Sequence, residues 1–102
     1  MSLFDPKVES IVIRGKTLSV RSMRTAEGFI FRGHVKAGAN NLAAEYLVAC
    51  CILDENGKPA FKDVPEVEAI DQGAFDELLD AACKINEIGS VKANPTTPPA
   101  AN

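Results

Sequence analysis

Residues 42–61 read LAAEYLVACCILDENGKPAF, and the reading of this stretch decides the fold. Its first twelve residues, Leu42 to Leu53, carry one charge, Glu45. A helix that is apolar all round belongs at the centre of a domain, covered by its neighbours. The end of the run, Cys51 to Leu53, can finish that helix or peel off as a strand, and in either case the segment is core. The chain then turns acidic and resumes at Pro59 and Phe61. Asn56-Gly57 supplies the two positive-φ residues of a tight reversal, with apolar residues on both sides. Ligand-binding readings of this loop fail on spacing. Counted from Asp54, Gly57 is at position 4 and Pro65 at position 12. A calcium loop instead needs Gly at position 6 and a bidentate Glu at position 12. A lone glycine is also no phosphate cradle. The loop reverses the chain and holds nothing.

Upstream, residues 1–7 read as a loose arm, with Pro6 unable to donate a hydrogen bond. SIVIRGKTLSV, residues 10–20, then gives two short β runs around Gly15-Lys16. Ile11 and Ile13 alternate with Val12 and Arg14, and Leu18 and Val20 alternate with Thr17, Ser19 and Arg21, as in a hairpin with one packed face. Such a hairpin is marginal alone and must pack on something. Thr25 is a candidate N-cap for the next helix, with Glu27 near its positive end.

From Ala26 to Ala37 the apolar arc is unusually wide. Ala26, Phe29, Ile30, Gly33 and Ala37 make one face, and Phe31 and Val35 fall well away from it, with His34 between. Only Arg32 and Lys36 mark a clearly solvated strip. An arc wider than one packing face means burial on two sides or a surface kept for a partner. Gly38 suits the left-handed residue after this helix, and Asn40 or Asn41 can cap the next.

Downstream of the turn, Asp63 caps a short acidic helix with Pro65 in its first turn, and Gly73 breaks it. The final helix, Ala74 to Ile88, is cleanly amphipathic, and Gly89 ends it. Phe75, Leu78, Leu79, Ala82 and Ile85 form its apolar stripe. Asp76, Glu77, Asp80, Lys84 and Glu87 form the polar one, and Asp80 and Lys84 make an i,i+4 pair. Residues 90–102, SVKANPTTPPAAN, are too poor in large apolar side chains to offset ordering entropy and are expected to be a disordered tail. The expectation is a mainly α-helical α+β domain over residues 1–89, with three to four helices and a small N-terminal β-hairpin.

The whole chain has 102 residues, 11 basic and 14 acidic, with a net charge of −3, which does not suit a general polyanion binder. No apolar run reaches the ~20 residues of a transmembrane helix. The N-terminus lacks the basic and apolar regions of a secretory signal. Cys50, Cys51 and Cys83 lie among apolar residues, as free buried thiols do, and the single histidine, His34, is too little for a metal site. Catalysis by a nucleophile needs a base and an orienting group, and no such set is visible. No enzyme, cofactor, metal or small-molecule ligand is expected, nor a nucleic-acid or membrane partner. Two classes remain: a small protein-binding or chaperone-like module, and a structural subunit that self-associates.

The order of these elements resembles a known family. VRSMRTAEGF follows the hairpin, the apolar helix ends in LVACCILDENGKPAF, and an acidic helix precedes FDELLDAACKINEIG. Over roughly residues 17–89 this arrangement is similar to the tail assembly chaperones of long-tailed bacteriophages, the family of the lambda G protein. The resemblance implies a protein of the host bacterial cytoplasm, absent from the finished virion. It would bind the tape measure protein and help recruit tail tube protein. Separately, Phe31 and Val35, lying off the main face of the helix, are expected to contact another chain, with a homo-oligomer as one form of that contact. The alternative is a small phage tail subunit that assembles by self-association. The expected contact residues are Met23, Phe29, Phe31 and Val35, large apolar side chains on or beside the wide helix. A competing arrangement packs Phe31 and Val35 under Ile11, Ile13, Leu18 and Val20 of the hairpin.

Overall fold

The computed structural model describes residues 3–89, so the tail expected over 90–102 lies outside the described residues. Three strands and four helices follow in the order β1 (Val8–Ile13), β2 (Lys16–Arg21), α1 (Thr25–Lys36), α2 (Asn40–Cys51), β3 (Ile52–Leu53), α3 (Val64–Glu68) and α4 (Gln72–Ile85). The fold is α+β, as expected, and the hairpin is extended to a three-stranded antiparallel sheet of order β1-β2-β3.

The hairpin turns on Arg14 and Gly15, both at positive φ (52° and 82°), while Ile13 pairs with Lys16. Two consecutive left-handed residues give a type I′ turn, whose twist matches that of the strands. Glu9, Ile11 and Ile13 share a face with Val20, Leu18 and Lys16, and this face lies against α4. The hairpin therefore does not cover Val35, which stays exposed. The N-terminal arm is tied down at its end: Lys7 N–H donates to Ser22 Oγ (2.9 Å), and its carbonyl accepts from Ser22 N–H (2.9 Å).

The central segment resolves its own ambiguity. Helix α2 buries Ala43, Ala44, Leu47, Val48 and Cys51 among α1, α3 and α4, then gives way to β3, where Ile52 pairs with Val20. In the turn that follows, only Gly57 has positive φ (81°), which corrects the two-residue reading of Asn56-Gly57. Gly57 N–H donates to Asp54 O, and Asp54 N–H to Lys58 O, so the loop has three residues and ends in a left-handed glycine. Asp54 Oδ1 also accepts from the N–H groups of Asn56 and Lys58 (2.8 and 3.0 Å). The carboxylate that suggested a ligand loop is occupied in shaping a turn.

Helix ends differ from expectation by small shifts with clear causes. Arg24, not Thr25, is the N-cap of α1; its N–H donates to Glu27 Oε1 (2.8 Å). After α1, Ala39 N–H reaches His34 O and Gly38 N–H reaches Val35 O, a Schellman closure around Gly38 at φ 79°. That closure leads straight into α2, so Ala39 takes the N-cap position and neither Asn40 nor Asn41 caps. Asp63 caps α3 as expected, accepting from Glu66 N–H. Gly73 does not break α3. It sits in the first turn of α4, which Asp71 caps. A Cβ at position 73 would lie 2.7 Å from Arg14 Nη2, so the glycine makes room for the Arg14–Asp71 ion pair (2.8 Å). Helix α4 ends at Ile85 and not Ile88, because Glu87 takes the left-handed position (φ 57°) and Ile88 N–H folds back to Cys83 O.

One side-chain clasp was not foreseen. Asn86 Oδ1 accepts from Met23 N–H (2.7 Å), while its Nδ2 donates to Ala82 O (2.8 Å) and to Cys51 Sγ (3.6 Å). This single amide ties the end of α4 to the β2–α1 link and to the last turn of α2.

Candidate functional site

The wide helix packs the opposite way round from its periodicity. Phe31 is its buried residue, 6% exposed and part of the main core, while the whole stripe of Ala26, Phe29, Ile30, Gly33 and Ala37 faces solvent. The physical reason lies in two polar residues on the same side as Phe31. Glu27 takes both ends of the Arg21 guanidinium in a bidentate pair (2.8 Å each). His34 sets its ring edge-on to Tyr46 at 5.7 Å. With these partners supplied by β2 and α2, Glu27, Phe31 and His34 form the inner face, one turn apart. A bulky aromatic between an ion-paired glutamate and a histidine packed on a tyrosine ring outweighs a stripe rich in Ala and Gly.

The Arg21–Glu27 pair is largely shielded, and Arg21 holds the Glu27 carboxyl below the usual carboxylate range against the opposing pull of burial. A bidentate pair of this kind fixes orientation as well as distance. It sets the rotation of α1 about its own axis.

What remains outward is the apolar Phe29 stripe with a basic border, and beyond that border Val35 is exposed on a separate side. Phe29 is 62% exposed, Ile30 48% and Val35 42%, and Leu42 at the start of α2 is exposed as well. The guanidinium of Arg32 lies over the Phe29 ring, 5.3 Å from its centroid, and Lys36 is exposed one turn on. Such a cation–π contact holds the ring in place. Of the four expected contact residues, Phe29 and Val35 are thus presented to solvent. Phe31 anchors the helix from within, and Met23 is half-buried with its N–H bound to Asn86. Ile30, on the same face as Phe29 but not among the four, is exposed as well. Its exposure was hidden because periodicity groups residues by face without saying where the face points.

The thiols are packed. Cys51 and Cys83 are buried and Cys50 half-buried. Burial pushes Cys51 up to about 11 and Cys50 in the same direction, which favours the unreactive thiol form. Among the described residues no helix is long and apolar enough to cross a membrane.

No family model matches the chain, and no curated protein matches it. Among solved structures, that of the bacteriophage HK97 tail assembly chaperone is similar, with a TM-score of 0.67. The two chains share a fold. The likeness covers 78% of this chain and 85% of that one, at 19% sequence identity.

Proposed function

We propose that this chain is a tail assembly chaperone of a long-tailed bacteriophage, which binds the tape measure protein and helps recruit tail tube subunits in the host bacterial cytoplasm. The observation that carries this reading is the set of apolar side chains that α1 leaves exposed, Phe29 and Ile30 on its outward stripe and Val35 on a separate side, on a fold shared with a phage tail assembly chaperone. A chaperone of aggregation-prone helical segments needs apolar surface held in a soluble frame, and no chemistry. Fully burying each of these side chains against a partner contributes ~1.5–3 kcal/mol. Phe31, held in the core, supports the site by keeping α1 in place, and Met23, half-buried against the core, is tied to Asn86 just before the helix starts.

Co-expression with the tape measure protein encoded in the same genome tests the reading. The tape measure protein is expected to stay soluble and co-purify with the chain, and a Phe29→Ser/Val35→Ser variant is expected to stay folded and lose it. A structural tail subunit is the outcome if the chain is recovered from purified virions and leaves the tape measure protein insoluble.

A further inference from the structure

On another side of the molecule α2, α3 and α4 enclose an open groove of about 480 Å³. Its floor is apolar: Ala44 and Val67 are buried at the base, and Ile70, Phe75 and Leu79 are half-exposed along it. Its lip carries Glu45, Glu68 and Asp76. Apart from Asp76, the carboxylates of α4 and of its N-cap have basic partners, whereas on α3 the Glu66 carboxylate accepts, among the described residues, only from Lys62 N–H. Asp71 and Glu77 are paired with Arg14, Asp80 with Lys84, Glu87 with Lys7 and Glu27 with Arg21. Among the described residues no lysine or arginine pairs with Glu45, Glu68 or Asp76, and Asp76 has only the Gln72 amide (3.0 Å). Burial, together with the Glu68 carboxyl beside it, pushes the Glu45 carboxyl above the usual range. Two carboxyls crowd each other there, and a cation from outside would relieve them.

The geometry points to this groove as a docking site for a basic amphipathic helix of a partner protein, with apolar side chains on the floor and lysines or arginines along the lip. An amphipathic helix is a natural occupant of an open apolar groove between helices, reading it with anchors at i, i+3 or i+4 and i+7. The unpaired acidic lip fixes the sign of its charge and penalises an acidic competitor. This surface is separate from the α1 face, whose border is basic through Arg32 and Lys36, so the two faces select partners of opposite charge.

The test uses the full chain and two labelled synthetic helices that share one Leu face, one carrying Lys on its flanks and the other Glu. Fluorescence anisotropy should show binding of the Lys helix and weaker binding of the Glu helix. A Glu45→Gln/Glu68→Gln/Asp76→Asn variant should lose about tenfold in affinity for the Lys helix. Removing unpaired charge should leave this variant folded, which circular dichroism checks. A Glu55→Gln/Glu77→Gln/Asp80→Asn variant, which also removes three exposed carboxylates but none of the groove lining, should bind as the parent does. The Phe29→Ser/Val35→Ser variant should also bind as the parent, so failure of the α1 reading and failure of this one are distinguishable. Equal loss in both charge variants, or no preference between the helices, overturns the proposal. So does sedimentation showing that the free chain is an oligomer that the groove variant dissolves into monomers, because the occupant is then a second copy.

Discussion

Helices α1 and α4 carry similar apolar stripes and use them in opposite ways. In α4, Leu78, Ala82 and Ile85 are buried, Phe75 and Leu79 lie half-covered, and the charged residues face water. In α1 the stripe faces water, and the helix is held from its other side by Phe31, Glu27 and His34. The pattern in α4 is what burial by the hydrophobic effect alone produces. The pattern in α1 exists because specific polar partners were supplied to the wrong-looking face. An apolar stripe therefore identifies residues that share a side, and the partners of the polar residues decide which side is turned inward.

The strongest challenge to that contrast is a pair of truncations. Phe31→Ala should cost ~3–5 kcal/mol of stability, the range for a core phenylalanine. Phe29→Ala should change it by ~0.5 kcal/mol or less, as at an exposed site. Denaturant melts of the two variants check this, and the reverse order would mean that α1 is turned round.

A smaller effect sharpens the electrostatic half of the comparison. Glu27→Gln should cost about 2 kcal/mol at neutral pH, since it removes a charge-assisted pair that is mostly shielded. Because Arg21 depresses the Glu27 carboxyl in the folded chain, its contribution is present above the ordinary glutamate range and lost as pH falls through the depressed folded value. The gap between parent and variant should close in acid. A gap that persists at low pH would assign the effect to packing and not to the ion pair.

The smallest effect has the opposite sign and belongs to the α4 side. The folded Glu45 carboxyl is raised by burial and by Glu68, so its charge opposes folding. That stability is fully present below the ordinary glutamate range and lost as pH rises through the raised value. Glu45→Gln should thus stabilise the chain at neutral pH by about 0.5 kcal/mol or less, after allowance for solvent screening, and do nothing in acid. A destabilised variant at neutral pH would show that the carboxylate has a favourable partner.

These contrasts also mark what could be read from the residues. The hairpin face of Ile11, Ile13, Leu18 and Val20, the Asp63 cap, the central helix and the α4 stripe were legible because each follows a local period or a cap rule. The orientation of α1 was not, because it rests on Arg21, six residues before Glu27, and on Tyr46 in another helix. The exact helix ends failed for a related reason. Gly38 was recognised, but the closure it makes leaves no room for an asparagine cap, and the left-handed residue after α4 is a glutamate. The Asn86 clasp spans 63 positions to Met23, and no local pattern signals a contact of that reach. Of the expected contact residues, Phe29 and Val35 are exposed, and Ile30, on the face of Phe29, is exposed with them.

The placement of the hairpin on α4 has a consequence for the chain as it is made. Arg14 at the hairpin tip closes on Glu77, 63 positions later. A ribosome adding about 5–20 residues per second takes roughly 3–13 s to cover that distance. Through that interval Ile11, Ile13 and Leu18 have no helix to cover them, and the strand pair must wait, exposed, for its cover to be synthesised. A protein whose own sheet is left uncovered until its last described helix emerges is, during its birth, in the same position as the clients that chaperones protect.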